Sequence, residues 1–290
     1  TYWTVVSLRH KQKLADSYLA LVKKLDSDVA KMIKEGVATR ADGLKVNVKV
    51  NEAEMQVTQV EDGLSLAKML LCQLCGMPTE STITLADENS ENISLGDAVA
   101  IGDTAQAIDR RPEMNLLQNA VDLSKQATKL VRSAFLPQVL VAGGYLMTNP
   151  NLYDGFTKKF AGVWNIGVMV RIPVWNWMEG AYKVRAAKAA TTIAQLEMDD
   201  TREKIGLQVS QSNFKLNEAY KKLSMAKKNV EKAEENLRCA NVGFKEGVLQ
   251  TTDVMEAQTA WMQAQSQKID AEVDVKISQV NLKKALGILN

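Results

Sequence analysis

Residues 35–76 read EGVATRADGLKVNVKVNEAEMQVTQVEDGLSLAKMLLCQLCG, and residues 246–287 read EGVLQTTDVMEAQTAWMQAQSQKIDAEVDVKISQVNLKKALG. Laid together without a gap, 211 positions apart, they share nine identities over 42 positions: Glu35/Glu246, Gly36/Gly247, Val37/Val248, Asp42/Asp253, Ala53/Ala264, Gln56/Gln267, Glu61/Glu272, Leu71/Leu282 and Gly76/Gly287. In both copies a second glycine closes the segment at the same distance from the first, Gly76 after Gly36 and Gly287 after Gly247. Each copy reads as the end of a long helix, a tight turn after glycine, and a returning helix. Residue 1 aligns with position 212 and the second repeat begins near Arg111, so a complete first repeat is expected to extend about 100 residues upstream.

The helices carry a specific seam. Val46, Val50, Ala53, Val57, Val60, Leu64, Ala67, Leu71 and Leu74 alternate steps of three and four. So do Val209, Ser212, Leu216, Ala219, Leu223, Ala226, Val230, Ala233, Leu237 and Ala240. A mean step of 3.5 makes the stripe follow a left-handed supercoil. In the second seam alanine alternates with larger Val or Leu, which lets antiparallel helices approach closely. No proline occurs between Trp177 and Lys245. An uninterrupted helix there would run about 100 Å, the length of a rod or conduit rather than of a compact domain.

The composition excludes several functions. Lys plus Arg total 36 against 34 Asp plus Glu, a net charge of +2, so a strongly basic nucleic-acid binder is ruled out. One histidine and three cysteines leave little for a metal centre or a disulfide framework. Cys72-Gln-Leu-Cys75 spells C-x-x-C, but it precedes Gly76 at a helix C-terminus, where the helix dipole disfavours a thiolate. Packed thiols are expected. No phosphate-binding glycine loop, G-x-S-x-G or H-E-x-x-H occurs. Neither an enzyme nor a cofactor is expected. No apolar run is long enough for a transmembrane helix, an argument that does not touch a β-barrel. Thr1–Leu8 lacks a basic region ahead of an apolar core, so these residues are not read as a signal peptide.

Residues 77–111 break the helical pattern with Pro78, Gly96 and Gly102 and with the acids Glu80, Asp87, Glu88, Glu91, Asp97 and Asp103. They read as a connector with short strand or helix pieces. A helix restarts at Pro112, which suits a first helical position, with Glu113 favourable to the dipole. From Phe135 the period changes to two. Trp164, Ile166, Val168, Val170, Ile172 and Val174 point one way, and Val163, Asn165, Gly167, Met169 and Arg171 the other. With the run Phe135–Met147 and the polar loop 148–159 this predicts a hairpin of strands about 12 residues long, and about 9–11 tilted residues cross a bilayer. Trp164, Trp175, Trp177, Tyr145 and Tyr153 gather around it, as interfacial aromatics or as plain sheet packing.

Several motifs, in order, resemble the TolC-like outer-membrane efflux family. They are Arg111-Pro112-Glu113 after the acidic connector, Phe135-Leu136-Pro137, Trp164-Asn-Ile-Gly167, Ile172-Pro173-Val174-Trp175, Gly247 with Asp253-Val-Met-Glu256-Ala257, and Ala285-Leu286-Gly287. The resemblance implies a mainly α fold, with long antiparallel coiled-coil helices forming a periplasmic tunnel and a β-hairpin contributed to a trimeric outer-membrane β-barrel. Residues 1–76 would be the first-repeat coiled-coil hairpin, 77–111 an equatorial connector, 112–134 an ascending helix, 135–176 the membrane hairpin, and 177–290 the second-repeat coiled-coil hairpin. The family's protomer gives four strands to a 12-stranded barrel, whereas one hairpin is present here.

The implied protein is a homotrimer in the outer membrane of a Gram-negative bacterium, in contact with its lipid and with a large periplasmic part. It exports drugs or other solutes passively, together with a periplasmic adaptor and an inner-membrane transporter. It uses no cofactor and binds no nucleic acid. The other reading is a soluble or periplasmic coiled-coil scaffold or adaptor without channel activity. Gly36 and Gly247 would be the periplasmic turns. Asp253 and Glu256 read either as an N-terminal cap, Asp253 accepting backbone N–H groups and Glu256 reaching back, or as a cap that also forms an acidic ring at the tunnel entrance. Asp42 is the first-repeat counterpart, with Lys45 in place of the second acid. Leu249 stands where some family members carry a basic residue for entrance links, and Arg40 could supply one in the other repeat. Trp164, Ile166, Val168, Val170 and Ile172 would face the membrane. Arg171 would face the lumen, or be a strand-end arginine in solvent.

Overall fold

The computed structural model describes residues 1–88, 104–150 and 158–289. Glu91, Gly96, Asp97, Gly102, Asp103 and Tyr153 of the connector and hairpin tip lie outside them. The elements are α1 (Tyr2–Lys34), α2 (Arg40–Leu74), α3 (Thr104–Arg110), α4 (Pro112–Ser133), β1 (Gln138–Thr148), β2 (Ala161–Arg171), α5 (Glu179–Lys245) and α6 (Thr251–Ala285). They fall into two compact units, Thr1–Ala107 with Leu207–Asn290, and Ile108–Gly206. Helix α5 contributes to both.

In the first unit the heptad seams are the core. Val209, Leu216, Ala219, Leu223, Ala226, Val230, Leu237 and Ala240 of α5 are buried, and Ser212 and Ala233 are half-buried. The whole stripe points inward, as its spacing predicts. On α2, Val46, Ala53 and Leu64 are buried and Val50, Val57, Val60, Ala67 and Leu71 half-buried, but Leu74 is 67% exposed. There the seam passes to Cys72, which is fully buried and donates its S–H to the Ser81 carbonyl at 3.7 Å. A 3.6-residue helix drifts against a 3.5-residue stripe, and in the last turn Cys72 has rotated into the inward position. Of the C-x-x-C pair only Cys72 is packed; Cys75 caps the helix and is exposed. Helix α1 adds its own inward row, Leu14, Tyr18, Val22, Leu25 and Val29. Each fully buried Val or Leu stabilises the bundle by about 1.5–3 kcal/mol.

Four of the helix ends share one backbone solution. Gly36, Gly76, Gly247 and Gly287 have φ of 78°, 70°, 73° and 67°, the left-handed region where a Cβ is penalised. Each sits where the N–H of the next residue bonds back across the last helical turn, as Val37 to Met32 at 2.9 Å and Val248 to Gly243 at 2.8 Å. Those glycines are the two pairs that the repeat aligns.

The connector residues 77–88 are tied to α1 and α2 at their far end. Glu88 is 3% exposed. It accepts from Lys68 Nζ at 2.7 Å and from the Leu85 N–H at 3.0 Å, with Arg9 Nε at 3.8 Å. Burial alone would raise its carboxyl, but the Lys68 and Leu85 hydrogen bonds and the two cations outweigh it and hold it below the usual carboxylate range. Beside it, Tyr2 donates to Asp87 at 2.7 Å.

In the second unit Met114 and Val121 of α4 pack against Met198 and Ile205 of α5. Pro112 opens α4 and Glu113 lies in its first turn. Strands β1 and β2 pair antiparallel, with Gln138 opposite Arg171, Tyr145 opposite Trp164 and Thr148 opposite Ala161. Cross-strand partners share a face. Val139, Val141, Gly143, Tyr145 and Met147 therefore stand with Gly162, Trp164, Ile166, Val168 and Val170, a face without a charged or amide side chain. The Tyr145 ring lies over Gly162, where a Cβ would clash with it.

The ladder is shorter than the alternation predicts. Ile172 and Val174 fall beyond β2, and Phe135–Pro137 precede β1. Extending the register one step would set Ile172 against Pro137, which has no N–H to give, and Pro173 lies next. Trp177 and Met178, with φ of 45° and 62°, turn the chain before α5 begins at Glu179.

Candidate functional site

The two turns after Gly36 and Gly247 lie at one end of the first unit. Beneath them one apolar cluster takes Leu25 and Val29 from α1, Val46 from α2, Leu237, Ala240 and Phe244 from α5, and Val254 and Ala257 from α6. Met32, Ala38, Met255 and Trp261 pack around it. The four helices thus converge, and Arg40, Asp42 and Asp253, distant in sequence, sit on the first turns of α2 and α6 at the same end, with Glu256 one turn further along α6.

Their roles differ. Asp42 is the third residue of α2 and closes a capping box with Thr39: the Thr39 N–H and hydroxyl donate to its carboxylate at 3.2 and 2.6 Å, and its own N–H donates to Thr39 Oγ1 at 3.2 Å. These bonds from Thr39, side chain first, hold the Asp42 carboxyl below its ordinary value. Lys45 Nζ stands 3.8 Å away. Asp253 repeats the arrangement in α6, accepting the Gln250 N–H at 2.9 Å. The cap therefore differs from the sequence reading: α6 begins at Thr251, Gln250 is the N-cap, Asp253 is the group that reaches back, and Glu256 takes no part. Gln250-Thr-Thr-Asp253 and Asp253-Val-Met-Glu256 both have capping-box spacing, and the helix uses the first. Glu256 and Arg40 are exposed.

Along the first four turns of α2 and α6 an open groove is lined by Lys45, Val48, Lys49, Glu52, Met255 and Glu256. Its cations come from α2 and Glu256 from α6. Lys49 is bound to Glu52 at 2.9 Å. Leu249 packs over Gly243, with its Cδ1 2.8 Å from where a Cβ would stand. Reasoning from sequence names Lys45 only as the residue in place of an acid and does not reach Lys49; their signal is the four-residue spacing one turn beyond Asp42. Among the described residues no group of three or more His, Cys, Asp or Glu side chains could hold a metal ion, and no helix is long and apolar enough to cross a membrane.

Trp164, Ile166, Val168, Val170 and Ile172 are all exposed, from 57 to 71%, and Arg171 on the other face is exposed too. Trp175 and Trp177 meet edge to face at 6.0 Å between hairpin and helix. No described element covers either face of the sheet.

Residues 104–288 match the family of outer membrane efflux proteins. The alkaline protease secretion protein AprF of Pseudomonas aeruginosa is 20% identical over 261 residues, 90% of this chain and 54% of its own length. The outer membrane protein TolC of Escherichia coli is 21% identical over 217 residues, 71% of this chain and 44% of its own length. The chain thus spans about half the length of the curated relatives it matches. Among solved structures, the outer-membrane channel OprN matches with a TM-score of 0.85 at 18% identity, over 99% of this chain and 64% of its own. The outer membrane protein VceC of Vibrio cholerae matches with a TM-score of 0.81 at 16% identity, over 99% and 67%. These structural likenesses establish the helical fold with its small two-stranded sheet.

Proposed function

The chain belongs to the outer membrane efflux protein family, placed in the outer membrane with a large periplasmic part, and from that premise we propose that it forms the export duct of a tripartite efflux or secretion system. Three copies surround one axis, their hairpins enter a shared β-barrel, and their coiled coils enclose a periplasmic tunnel. Solutes pass down their gradient or are driven by an inner-membrane transporter joined through a periplasmic adaptor. The duct performs no chemistry. Its opening is a shift of the helix pairs around Gly36 and Gly247, a population that partners bias.

The observation that carries this reading is the uncovered hairpin. A sheet with an unbroken apolar face at 57–71% exposure and two open edges is an aggregation hazard in water. It is a stable component only where strands close around it and lipid takes the apolar face. Arg171 then belongs to the lumen side. Three copies of Asp253 and Glu256 near the axis would concentrate negative potential and favour cations, with Asp42 and Arg40 beside them.

Two measurements test the reading. Carbonate washing of cell membranes should leave the protein in the pellet; release into the wash contradicts it and favours a soluble scaffold. In single-channel recordings, Asp253→Ala with Glu256→Ala should reduce cation selectivity. Unchanged selectivity and conductance would remove the entrance ring.

A further inference from the structure

The chain's net charge of +2 is unevenly spread. On α4 from Asp122 to Ser133 and on α5 from Glu179 to Thr192 there are six cations, Lys125, Lys129, Arg132, Lys183, Arg185 and Lys188, against two acids, Asp122 and Glu179. These stretches carry +4, so the rest of the chain sums to −2. They are also the helix turns joined to the hairpin.

Three of the cations share a groove. Lys125, Lys129 and Lys188 line an open cleft between α4 and α5 together with Thr128, Thr191 and Thr192. At its floor Thr191 Oγ1 meets Ser124 Oγ at 3.0 Å and Thr128 Oγ1 at 3.1 Å, which fixes the register of the two helices. Arg132 follows Lys129 by three residues and Arg185 precedes Lys188 by three, so both continue the basic row toward the hairpin. Of the two acids, Asp122 is bound to Lys125 at 2.9 Å and Glu179 to Lys183.

We propose that this groove is a docking surface for the phosphate headgroups of anionic phospholipids in the periplasmic leaflet. The inference rests on the hairpin lying in the outer membrane. Depth is the first argument. At 1.5 Å per residue, Lys125 lies about 12 Å from the end of α4 and Lys188 about 14 Å from the start of α5. Headgroups and one Debye length of about 8 Å cover that span. Trp175 and Trp177, 70 and 84% exposed, mark the interface just above.

Direction is the second argument. On α4 the row packed on α5 (Met114, Leu117, Val121) and the uncovered apolar row (Leu116, Leu123, Leu130) lie roughly 150° apart at 3.6 residues per turn. In a closed ring of helices the two neighbours of each helix subtend less than half a turn on the lumen side. Lys125, Lys129 and Arg132 lie in the wider arc, on the outward side, where lipid and not cargo is met. The lysine ammonium groups there, carried on flexible stems, supply cationic donors to a phosphate, whereas the Thr128, Thr191 and Thr192 hydroxyls are engaged within and between the helices.

Flotation of the reconstituted protein on phosphatidylcholine vesicles, with and without phosphatidylglycerol, tests this. The protein should float with both and partition more strongly to the anionic vesicles, a preference that fades as salt is raised. Each exposed juxtamembrane cation is worth about fivefold. Lys125→Gln, Lys129→Gln and Lys188→Gln together should therefore reduce the preference by on the order of a hundredfold. The three Lys→Arg changes should keep it, with unaltered helical circular dichroism in both variants. Equal flotation on both vesicles, or a preference surviving in the glutamine variant, overturns the docking surface while leaving the hairpin in the membrane. Failure to float with either vesicle overturns the membrane reading itself and this inference with it.

Discussion

Asp42 and Asp253, 211 positions apart, each stand third in a helix and accept the N–H of the residue before it, Thr39 at 3.2 Å and Gln250 at 2.9 Å. The two caps open the returning helices of the two repeats over one shared apolar cluster. Removing either carboxylate leaves an N-terminal donor unpaired at the turn. Asp42→Ala and Asp253→Ala should each lower the urea midpoint, and Asp42→Ala more, because the Thr39 hydroxyl also binds that carboxylate. Since the Asp42 carboxyl is held below its ordinary value, its contribution is present above the unfolded pKa and is lost as pH falls through the folded one. The difference between wild type and Asp42→Ala should shrink in acid. A pH-independent difference would show that the cap acts through shape alone.

The turn glycines give a prediction free of packing. At Gly36 and Gly247 a Cβ would meet nothing within 4 Å, so alanine there costs only the left-handed backbone, about 1–2 kcal/mol. Asparagine, which tolerates that region, should cost less. Equilibrium unfolding in urea of Gly36→Ala, Gly36→Asn and the matching pair at Gly247 checks the order. Equal stability of alanine and glycine forms would mean that the turn relaxes out of the left-handed region.

What can be read from the sequence is what is local or periodic. The seam from Val209 to Ala240 needs only spacing, and Gly36, Gly76, Gly247 and Gly287 announce themselves by recurring at one offset. The strands are recognisable from alternation, yet their ends are not. Ile172 continues the pattern, and only the register shows that Pro137 would face it. The α6 cap is easily misplaced because two overlapping stretches have the same spacing, and the choice between them depends on where α6 leaves the turn. Glu88 reads as one acid among many in a connector. Its partners Arg9 and Lys68 belong to α1 and α2, far from it along the chain, and nothing in its neighbours points to them.

Glu88 is accordingly the place where the connector is expected to let go. Glu88→Gln removes the charge that Lys68 and Arg9 share. Both cations can still reach water, so the cost should be modest, about 1–2 kcal/mol. The carboxyl is depressed in the folded state, so its contribution is complete above about pH 4.3, the unfolded value, and is lost as pH falls through the folded one. Limited proteolysis within 77–88 should accelerate in Glu88→Gln at neutral pH, and in wild type only in acid. Protection unchanged in the variant would mean that Tyr2 and Asp87 hold the segment unaided.

Glu272 should behave in the opposite sense. It is the repeat partner of the exposed Glu61, but it is 7% exposed, with Lys268 Nζ 3.9 Å away as its ion-pair partner. Burial pushes its carboxyl up, only partly countered by Lys268 and Lys227. A carboxyl raised in the folded state binds its proton more tightly there than in the unfolded chain. Stability therefore falls as pH rises from the unfolded pKa through the raised one. Glu272→Gln keeps the shape and removes the buried charge, so it should raise the urea midpoint at pH 8. The gain should fade as pH is lowered toward the range where the wild-type carboxyl is protonated. A variant less stable at pH 8 would show that the Lys268 pair contributes more than the burial of the carboxylate costs.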